Sequence, residues 1–350
     1  MCADIDTKPA LFSSSLEPPE TKPETAAITS WGDSPADVEL AERFRHSGWK
    51  RNRTLIYASL RRTMQTVSRI TNFSSCGFCA FVYRTVQPPH RFRLGGSSCR
   101  DRFCIPCAID RSRCLATNVL KALQDKPTRF LTLTLKQNTS SLADQLSRLY
   151  DCFQRLRSRS WWKHHVVGGC AFLEMKWSQR NDSWNVHLHC IVHGQYMPQR
   201  EISSLWYKIT GDSMIADVRF VHDPNRIGRY VTKYVSKPFN DTFVNRKPLL
   251  DEVITATRGR RLCLTFGTWR GIRLTESPNE GDWIALGTFH DVVSRALQGD
   301  RECIEAVYEI CGEQAETILA AVQEARPPPD RKGDAKPQMT FAWTAMDVRE

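Results

Sequence analysis

Three groups of side chains in this sequence have the types and the spacing that chemistry requires. His187 and His189 alternate in the run NVHLHCIVH, cysteines cluster over residues 76–114, and the run RIGRYVTKYVSKPF contains Tyr-x-x-Lys twice. Imidazoles and carboxylates bind divalent cations, thiolates bind zinc, and an activated phenol is a nucleophile. The sequence therefore offers a divalent-metal site, a zinc site and two candidate nucleophiles.

The histidines follow the two-residue period of a β-strand. Side chains alternate between the faces of a strand, so His187, His189 and His193 lie on one face and an apolar row lies on the other. Hydrogen-bonded core or surface histidines are the plainer interpretation, but two histidines at i and i+2 favour a metal site. His193, at the end of the strand, is the weakest candidate ligand.

A carboxylate joins the histidines if two strand-like runs form a hairpin. Residues 170–177 and 184–193 flank the polar run SQRNDS, which is typical of a turn. A six-residue turn places Trp177 opposite Trp184 and Glu174 opposite His187. The expected site is then His187, His189 and Glu174, an arrangement for a divalent metal with open positions. A turn one residue longer or shorter would move Glu174 to the other face.

The repeated Tyr-x-x-Lys is predicted to lie on a helix over residues 226–237. Tyr230 and Tyr234 are then neighbours at i and i+4, beside an apolar stripe. Lys233 and Lys237 have the same spacing and lie beyond them. Ammonium groups and a metal-bound phosphate favour a phenolate, whose ordinary pKa of about 10 makes it a poor nucleophile at neutral pH. Simple amphipathic packing of the helix is the alternative.

The cysteine cluster predicts a structural zinc site. Two CxxC doublets supply the simplest set, and the C-x4-C-x2-C spacing also admits a fifth cysteine. A redox dithiol is the alternative, which the surrounding arginine-rich loop disfavours. The candidate ligands, five for four places, are Cys76, Cys79, Cys99, Cys104 and Cys107.

The distribution of charge indicates nucleic acid as the partner. The net charge is +11, and residues 43–136 carry nineteen Lys and Arg against three Asp, whereas both ends are acidic. So uneven a distribution is more typical of nucleic-acid binding than of an ordinary solvated surface. No run of eighteen apolar residues is present, so no membrane span is expected. Thirteen cysteines without a signal-peptide pattern indicate reduced thiols in a cytoplasm.

The pattern of elements predicts an α+β fold with an antiparallel sheet. RFLTLTLK alternates as a strand, residues 141–158 form an amphipathic helix, and residues 260–274 supply a further strand. The expected regions are a disordered acidic tail (1–40), a basic helical and cysteine-rich region (41–125), a catalytic domain (126–275), an acidic helical appendage (276–325) and a disordered tail (326–350).

Three motifs in this order carry a family resemblance. FLTLTLK, NVHLHCIVH and YVTKYVSK resemble the motifs of HUH-type rolling-circle replication initiators, and the doubled Tyr-x-x-Lys resembles their two-tyrosine subgroup. GRRLCLTFGTWRG resembles a segment that follows the tyrosine motif in plasmid Rep proteins. The similarity covers roughly residues 71–275 and implies an RRM-like or palm-like HUH core.

The resemblance implies an enzyme that nicks and joins single-stranded DNA at a replication origin. His187 and His189 would hold Mg²⁺ or Mn²⁺, with Glu174 as a third ligand. Tyr234, which keeps the position found in single-tyrosine relatives, would attack first and leave a 5′-phosphotyrosine and a free 3′-OH primer. Tyr230 would attack after a round of synthesis, with Lys233 and Lys237 stabilising charge.

Further expectations concern partners and alternatives. No P-loop motif occurs, so a host helicase and a host DNA polymerase are expected partners. The chain is expected in a bacterial cytoplasm, encoded by a plasmid or phage. A two-tyrosine HUH transposase is the close alternative, because SSCRDRFCIPC also fits its cysteine pattern. A zinc-containing DNA-binding regulator without catalysis is the alternative from another class.

Overall fold

The computed structural model describes residues 35–123, 126–222, 227–228, 230, 241–276 and 282–324. Within them the fold is α+β with antiparallel strands, as predicted. The N-terminal elements are α1 (Pro35–Arg45), α2 (Lys50–Arg62), α3 (Val67–Ser74), β1 (Phe81–Thr85), β2 (Phe92–Gly95) and α4 (Ile105–Leu123). The central elements are β3 (Thr128–Thr134), α5 (Leu142–Ser158), α6 (Ser160–His165), β4 (Val166–Ser178), β5 (Ser183–Gly194), α7 (Gln199–Thr210) and β6 (Ala216–Phe220).

The remaining elements lead from the central sheet to a helical C-terminal region. They are α8 (Asp241–Val244), α9 (Lys247–Ala256), β7 (Cys263–Gly267), β8 (Trp283–Thr288), α10 (Phe289–Leu297), α11 (Arg301–Cys311), a 3-10 turn (Gly312–Gln314) and α12 (Ala315–Glu324).

A five-stranded antiparallel sheet with the order β6-β3-β5-β4-β7 forms the centre of the fold. The long β4–β5 hairpin supplies two of its strands, and its register pairs Trp177 with Trp184 and Glu174 with His187. The predicted register is therefore confirmed, although Ser178 and Ser183 still pair with each other, so the turn itself has four residues rather than six. This register puts the histidines of β5 between β3 and β4, on a strand whose two neighbours restrict where the side chains can turn.

Each face of the sheet is covered by its own apolar cluster. One cluster joins Leu188 and Val192 of β5 to the apolar stripe of α5 and to Trp206 of α7. The predicted stripe on α5 is confirmed, because its members are fully buried: Leu142, Leu146, Leu149, Phe153 and Leu156. The histidine face carries a smaller cluster, in which the second half of α4 covers Phe172 and Ile191. On the histidine face, α4 therefore shields the part around Phe172 and Ile191 from solvent, whereas His187 and His189 lie outside this apolar cluster.

The predicted boundary at residue 40 falls inside a helix, which corrects the expectation of an unstructured segment up to that point. Helix α1 begins at Pro35, a residue type that suits the first turn of a helix because its missing N–H would have no partner there. The helical part of the region predicted over residues 41–125 begins with three helices, which are separated by turns at Gly48 (φ +74°) and Met64 (φ +48°).

The C-terminal region contains a strand that the prediction of a purely helical appendage lacked. Strand β8 pairs with β1, about two hundred residues earlier in the chain, in a second sheet of order β2-β1-β8. Helices α10, α11 and α12 pack together, and α1 contacts α10 and α12. Regions predicted as separate, before residue 126 and after residue 275, thus share a sheet and a core.

None of the helices in the described part of the chain has both the length and the apolar character needed to cross a membrane.

Candidate functional site

The histidine site is built on three neighbouring strands. His187 and His189 come from β5, and Glu174 comes from β4, opposite His187. Glu174 is 2% exposed and His189 is 5% exposed, so both polar groups are buried and need partners. They supply each other, because Nε2 of His189 lies 2.8 Å from Oε2 of Glu174. The three residues predicted as a site therefore share one face of the sheet.

Two threonines of β3 hold the imidazole rings from the other side. Thr134 Oγ1 lies 2.9 Å from Nδ1 of His187, and Thr132 Oγ1 lies 3.2 Å from Nδ1 of His189. The β3–β5 register pairs each threonine directly with its histidine. Sequence reasoning missed this role, although the alternation of FLTLTLK had already put the threonines on one face. Such contacts fix ring orientation, which a metal-binding or proton-transferring histidine requires.

Protonation states at this site suit cation binding. Burial alone would raise the pKa of Glu174, but hydrogen bonds from His189 and Lys176 lower it to about 2. The Lys176 ammonium makes an ion pair with Glu174 at 2.8 Å. Burial, reinforced by the neighbouring His189, lowers the pKa of His187 to about 4. At neutral pH the site therefore presents a carboxylate and a neutral imidazole, the forms that bind metals.

In this structure His187, His189 and Glu174 have only part of the geometry that a divalent cation requires. The 2.8 Å between Nε2 of His189 and Oε2 of Glu174 is close to the ~3.0 Å between adjacent ligands of an octahedral ion with bonds of about 2.1 Å. The ligand atoms of His187, His189 and Glu174 do not all lie within 4.8 Å of one another. Among the described residues, the group of metal-binding side chains that meets this distance criterion consists of cysteines. His193 lies apart, with Nε2 3.5 Å from Thr268 Oγ1 and its ring beside Trp269.

Tyr230 brings a phenol to the histidines. Its hydroxyl lies 3.2 Å from Nδ1 of His189, and its ring stacks on Phe130 of β3 at a centroid distance of 3.7 Å and an angle of 8°. When the Glu174 carboxylate accepts from Nε2–H of His189, Nδ1 can accept from the Tyr230 or the Thr132 hydroxyl. Tyr234, Lys233 and Lys237, the other candidates of this segment, lie outside the described residues.

The cysteine cluster brings four thiols together. The sulfurs of Cys76, Cys99, Cys104 and Cys107 all lie within 4.8 Å of one another. Cys76 Sγ is 3.6 Å from Cys104 Sγ and 3.5 Å from Cys107 Sγ. A tetrahedral zinc ion with Zn–S bonds of about 2.3 Å requires sulfurs about 3.8 Å apart. The four thiols could therefore hold a metal such as zinc.

Cys79 does not belong to this group, which corrects the expectation from the CGFC doublet. The simplest predicted set contained Cys79 and omitted Cys99; the structure has the reverse, in agreement with the C-x4-C-x2-C spacing. Cys79 adopts a left-handed backbone conformation with φ +56° just before β1. The chain then runs through the β1–β2 hairpin before Cys99 returns beside Cys107, 3.6 Å between sulfurs.

Two basic side chains lie beside the four thiols, and hydrogen bonds among the thiols lower the pKa of Cys76 and Cys107 while raising that of Cys104. The Arg45 side chain, 6% exposed, places Nη2 3.5 Å from Cys107 Sγ and pairs with Asp110 at 2.9 Å. A hydrogen bond from Cys104 lowers the pKa of Cys107 to about 6. Nε2 of His46 lies 2.8 Å from the Cys76 carbonyl oxygen. Thiolates are the species that bind metal, so the surroundings match a metal-binding role.

Comparisons with known proteins agree with this arrangement. The model of the replication protein family, Rep_1, matches residues 91–284, more than half of the chain, which include the β3 threonines, the β4–β5 hairpin and three of the four clustered cysteines. A curated relative, "Protein rep" of Staphylococcus aureus, is 27% identical over 193 residues, which cover 49% of this chain and 83% of that protein. No solved structure gives a significant match. The resemblance to plasmid replication initiators is thereby confirmed, and the chain belongs to the Rep_1 replication protein family.

Proposed function

We propose that this chain initiates rolling-circle replication by nicking and later rejoining single-stranded DNA at an origin, through a covalent 5′-phosphotyrosine intermediate. The observation that carries the proposal is the Tyr230 hydroxyl, 3.2 Å from a histidine of the HLH strand. A nucleophile within hydrogen-bond reach of a histidine that a carboxylate orients is the arrangement expected of covalent catalysis. Membership of the replication protein family supports the same activity.

His187 and His189 are proposed to hold Mg²⁺ or Mn²⁺, with Glu174 as the third ligand. These three residues would hold the cation, and the threonine contacts to both Nδ1 atoms would keep the imidazole rings oriented. Such a cation, when bound, withdraws electron density from the scissile phosphate. Lys176, in its ion pair with Glu174, adds positive charge where negative charge develops.

The nicking step exchanges one phosphodiester bond for another. The tyrosine oxygen attacks phosphorus, the bond from phosphorus to the 3′ oxygen breaks, and the DNA 5′ phosphate stays on the enzyme. The phenol gives up a proton and the departing 3′ oxygen takes one up, so no oxidant, reductant or nucleotide is consumed. Stacking on Phe130 and contact with His189 hold the Tyr230 oxygen in place, and such positioning supplies much of the catalysis in phosphoryl transfer.

Tyr230 and Tyr234 are proposed to act in succession, as the doubled Tyr-x-x-Lys implies, with Lys233 and Lys237 stabilising the charge that develops. The first attack leaves a 3′-OH primer for a host polymerase, and a host helicase opens the duplex. The second attack cuts the regenerated origin, and the freed 3′-OH then closes the displaced circle by attack on the first phosphotyrosine. Zinc on the four cysteines is proposed to stabilise the basic N-terminal region. The family match favours replication over the transposase alternative.

A covalent-adduct assay tests the proposal. The full chain is incubated with single strands tiling the DNA that encodes it, with Mn²⁺ or with EDTA, and run on a denaturing gel. A metal-dependent shifted band that disappears in Tyr230→Phe/Tyr234→Phe supports it, with Tyr207→Phe on α7 as the matched control. DNA binding without any adduct would support the non-catalytic regulator instead.

A further inference from the structure

An arginine-lined groove lies beside the histidine site. A cavity of about 470 Å³ opens between α4, β4 and the segment that precedes β7, and a second cavity of about 380 Å³ adjoins it. The two share four lining residues, Leu115, Arg261, Cys263 and Thr275. Together they form one groove, called here the arginine groove.

The groove is basic at its rim and apolar on its floor. Five guanidinium groups line it: Arg102, Arg111, Arg260, Arg261 and Arg273. Glu276 is the carboxylate found in the lining. The buried side chains of Ala108, Leu115 and Phe172 supply the floor. A nucleotide has the matching two-sided chemistry, with a planar base and an anionic phosphate.

The guanidinium groups at the rim differ in how they are held. Arg102 donates to the carbonyls of Thr257 and Arg260, and Arg260 donates to the carbonyl of Ala256. Arg261 and Arg273 are exposed, and in the described part of the chain no carboxylate pairs with either. Two arginines are therefore fixed in the wall, and two others are available for an anionic ligand.

Strand register connects the groove to the histidine site. Phe172 of β4 pairs with His189 on one side and with Cys263 on the other, and all three lie at one level of the sheet. The ladder continues beyond β7 through the hydrogen bond from Leu173 N–H to the Leu262 carbonyl, which brings Arg261 level with Glu174. Strands lie about 4.8 Å apart, so β7 lies about 10 Å from β5. The groove therefore begins about two strand spacings from His189, within reach of a DNA strand held there.

We infer that the arginine groove binds the single strand next to the scissile phosphate, with Arg261 and Arg273 on its phosphates. The inference rests on the proposed function, because it takes the strand's path from the histidine site. The apolar floor suits an unpaired base, which a duplex keeps inside its stack, so the occupant is a single strand. The groove then holds the strand in place while the tyrosine attacks, and its contribution is to DNA affinity rather than to the chemical step.

Binding of a fluorescent single-stranded oligonucleotide to the full chain, measured by anisotropy in EDTA so that no strand is cut, tests this inference. Arg261→Ala/Arg273→Ala should weaken binding about tenfold and reduce the slope of log K against log[salt] by about 1.4, since each phosphate contact contributes about 0.7. The matched control is Arg155→Ala/Arg200→Ala, which removes two exposed charges on α5 and α7, on the opposite face of the sheet. The control should change affinity less than about twofold. Equal losses in both variants, or none in either, would overturn the inference.

Further measurements distinguish a failure of this inference from a failure of the proposed function. Arg261→Lys/Arg273→Lys should recover most of the affinity, and thermal unfolding shows whether each variant folds. In Mn²⁺, the alanine variant should need about tenfold more DNA than the wild-type chain for half-maximal formation of the covalent adduct. If the wild-type chain forms no adduct but binding still depends on Arg261 and Arg273, the proposed function fails and the groove assignment stands. An equal loss of affinity for a duplex of the same length would contradict the assignment to a single strand.

Discussion

The four-cysteine cluster and the histidine site both gather metal-binding side chains, but they do so in opposite ways. The cysteine sulfurs lie within 4.8 Å of one another, and their surroundings are arginine, histidine and backbone groups. The histidine site has its donors on two strands, with threonines of a third strand behind the rings and a phenol beside them. Structural zinc sites are closed, whereas catalytic sites keep positions open for substrate. From this difference we expect the cysteine cluster to stabilise the fold and the histidine site to carry out the chemistry.

The largest expected effect comes from removing one ligand of the four-cysteine cluster. Cys99→Ser should abolish the binding of one zinc ion per chain and lower the free energy of unfolding by more than about 4 kcal/mol, because zinc binding is coupled to folding. Cys79→Ser is the matched control and should retain the zinc, since Cys79 lies outside the four-thiol group. Elemental analysis and thermal unfolding measure both. Loss of zinc in Cys79→Ser with retention in Cys99→Ser would refute the ligand set.

The next largest effect is expected at the histidine site. His189→Ala should reduce the rate of adduct formation by more than about 100-fold, because it removes a proposed metal ligand that also contacts Tyr230. His193→Ala, on the same strand and on the same side but beside Trp269, should keep nearly the full rate at pH 7.5. His189→Ala takes a partner from the buried Glu174 carboxylate and should lower stability, but it should leave the zinc content unchanged, in contrast to Cys99→Ser. Similar rates of adduct formation in His189→Ala and His193→Ala would contradict the assignment of His189, and not His193, to the site.

A smaller effect is expected from the carboxylate. Glu174→Gln preserves shape and removes the charge that faces His189 and Lys176, so adduct formation should slow by about 10- to 100-fold. If Glu174 is a ligand, raising the Mn²⁺ concentration should restore part of the rate. Single-turnover rates across a Mn²⁺ titration measure this, and an unchanged rate at every concentration would exclude Glu174 from the site.

The smallest effect is on the pH dependence of stability. Burial lowers the pKa of His193 below its usual value near 6.5, so the unfolded chain binds a proton more readily than the folded chain. Stability should therefore rise with pH in that window and be lost as pH falls below about 6.5. His193→Gln should lose less stability than the wild-type chain between pH 7 and pH 5.5 in urea titrations. A larger loss of stability in the variant than in the wild-type chain would contradict the lowered pKa of His193.

Local patterns made the histidine hairpin predictable. Alternation in NVHLHCIVH and the polar run SQRNDS were enough to place Glu174 opposite His187, because register follows from turn length. The threonine contacts were predictable in principle from FLTLTLK, but they required knowing that β3 pairs with β5. Pairing between distant strands is not encoded in any local period.

The parts that sequence reasoning missed depend on contacts between distant segments. The choice of Cys99 over Cys79 depends on how the β1–β2 hairpin returns the chain to the start of α4. Strand β8 is a short run before a helix, and its partner β1 lies about two hundred residues earlier. The C-x4-C-x2-C spacing admitted Cys99 but could not exclude Cys79, and local hydrophobic alternation does not reveal the partner of β8.

Identification of the residue that carries DNA tests the central claim most directly. The wild-type chain is allowed to form the adduct with a single strand in Mn²⁺, digested with protease and nuclease, and analysed by tandem mass spectrometry. The account predicts a nucleotide phosphate on the phenol oxygen of Tyr230 or Tyr234, and its absence when EDTA replaces Mn²⁺. DNA attached to any other residue, or no covalent DNA on any strand tested, would contradict the account.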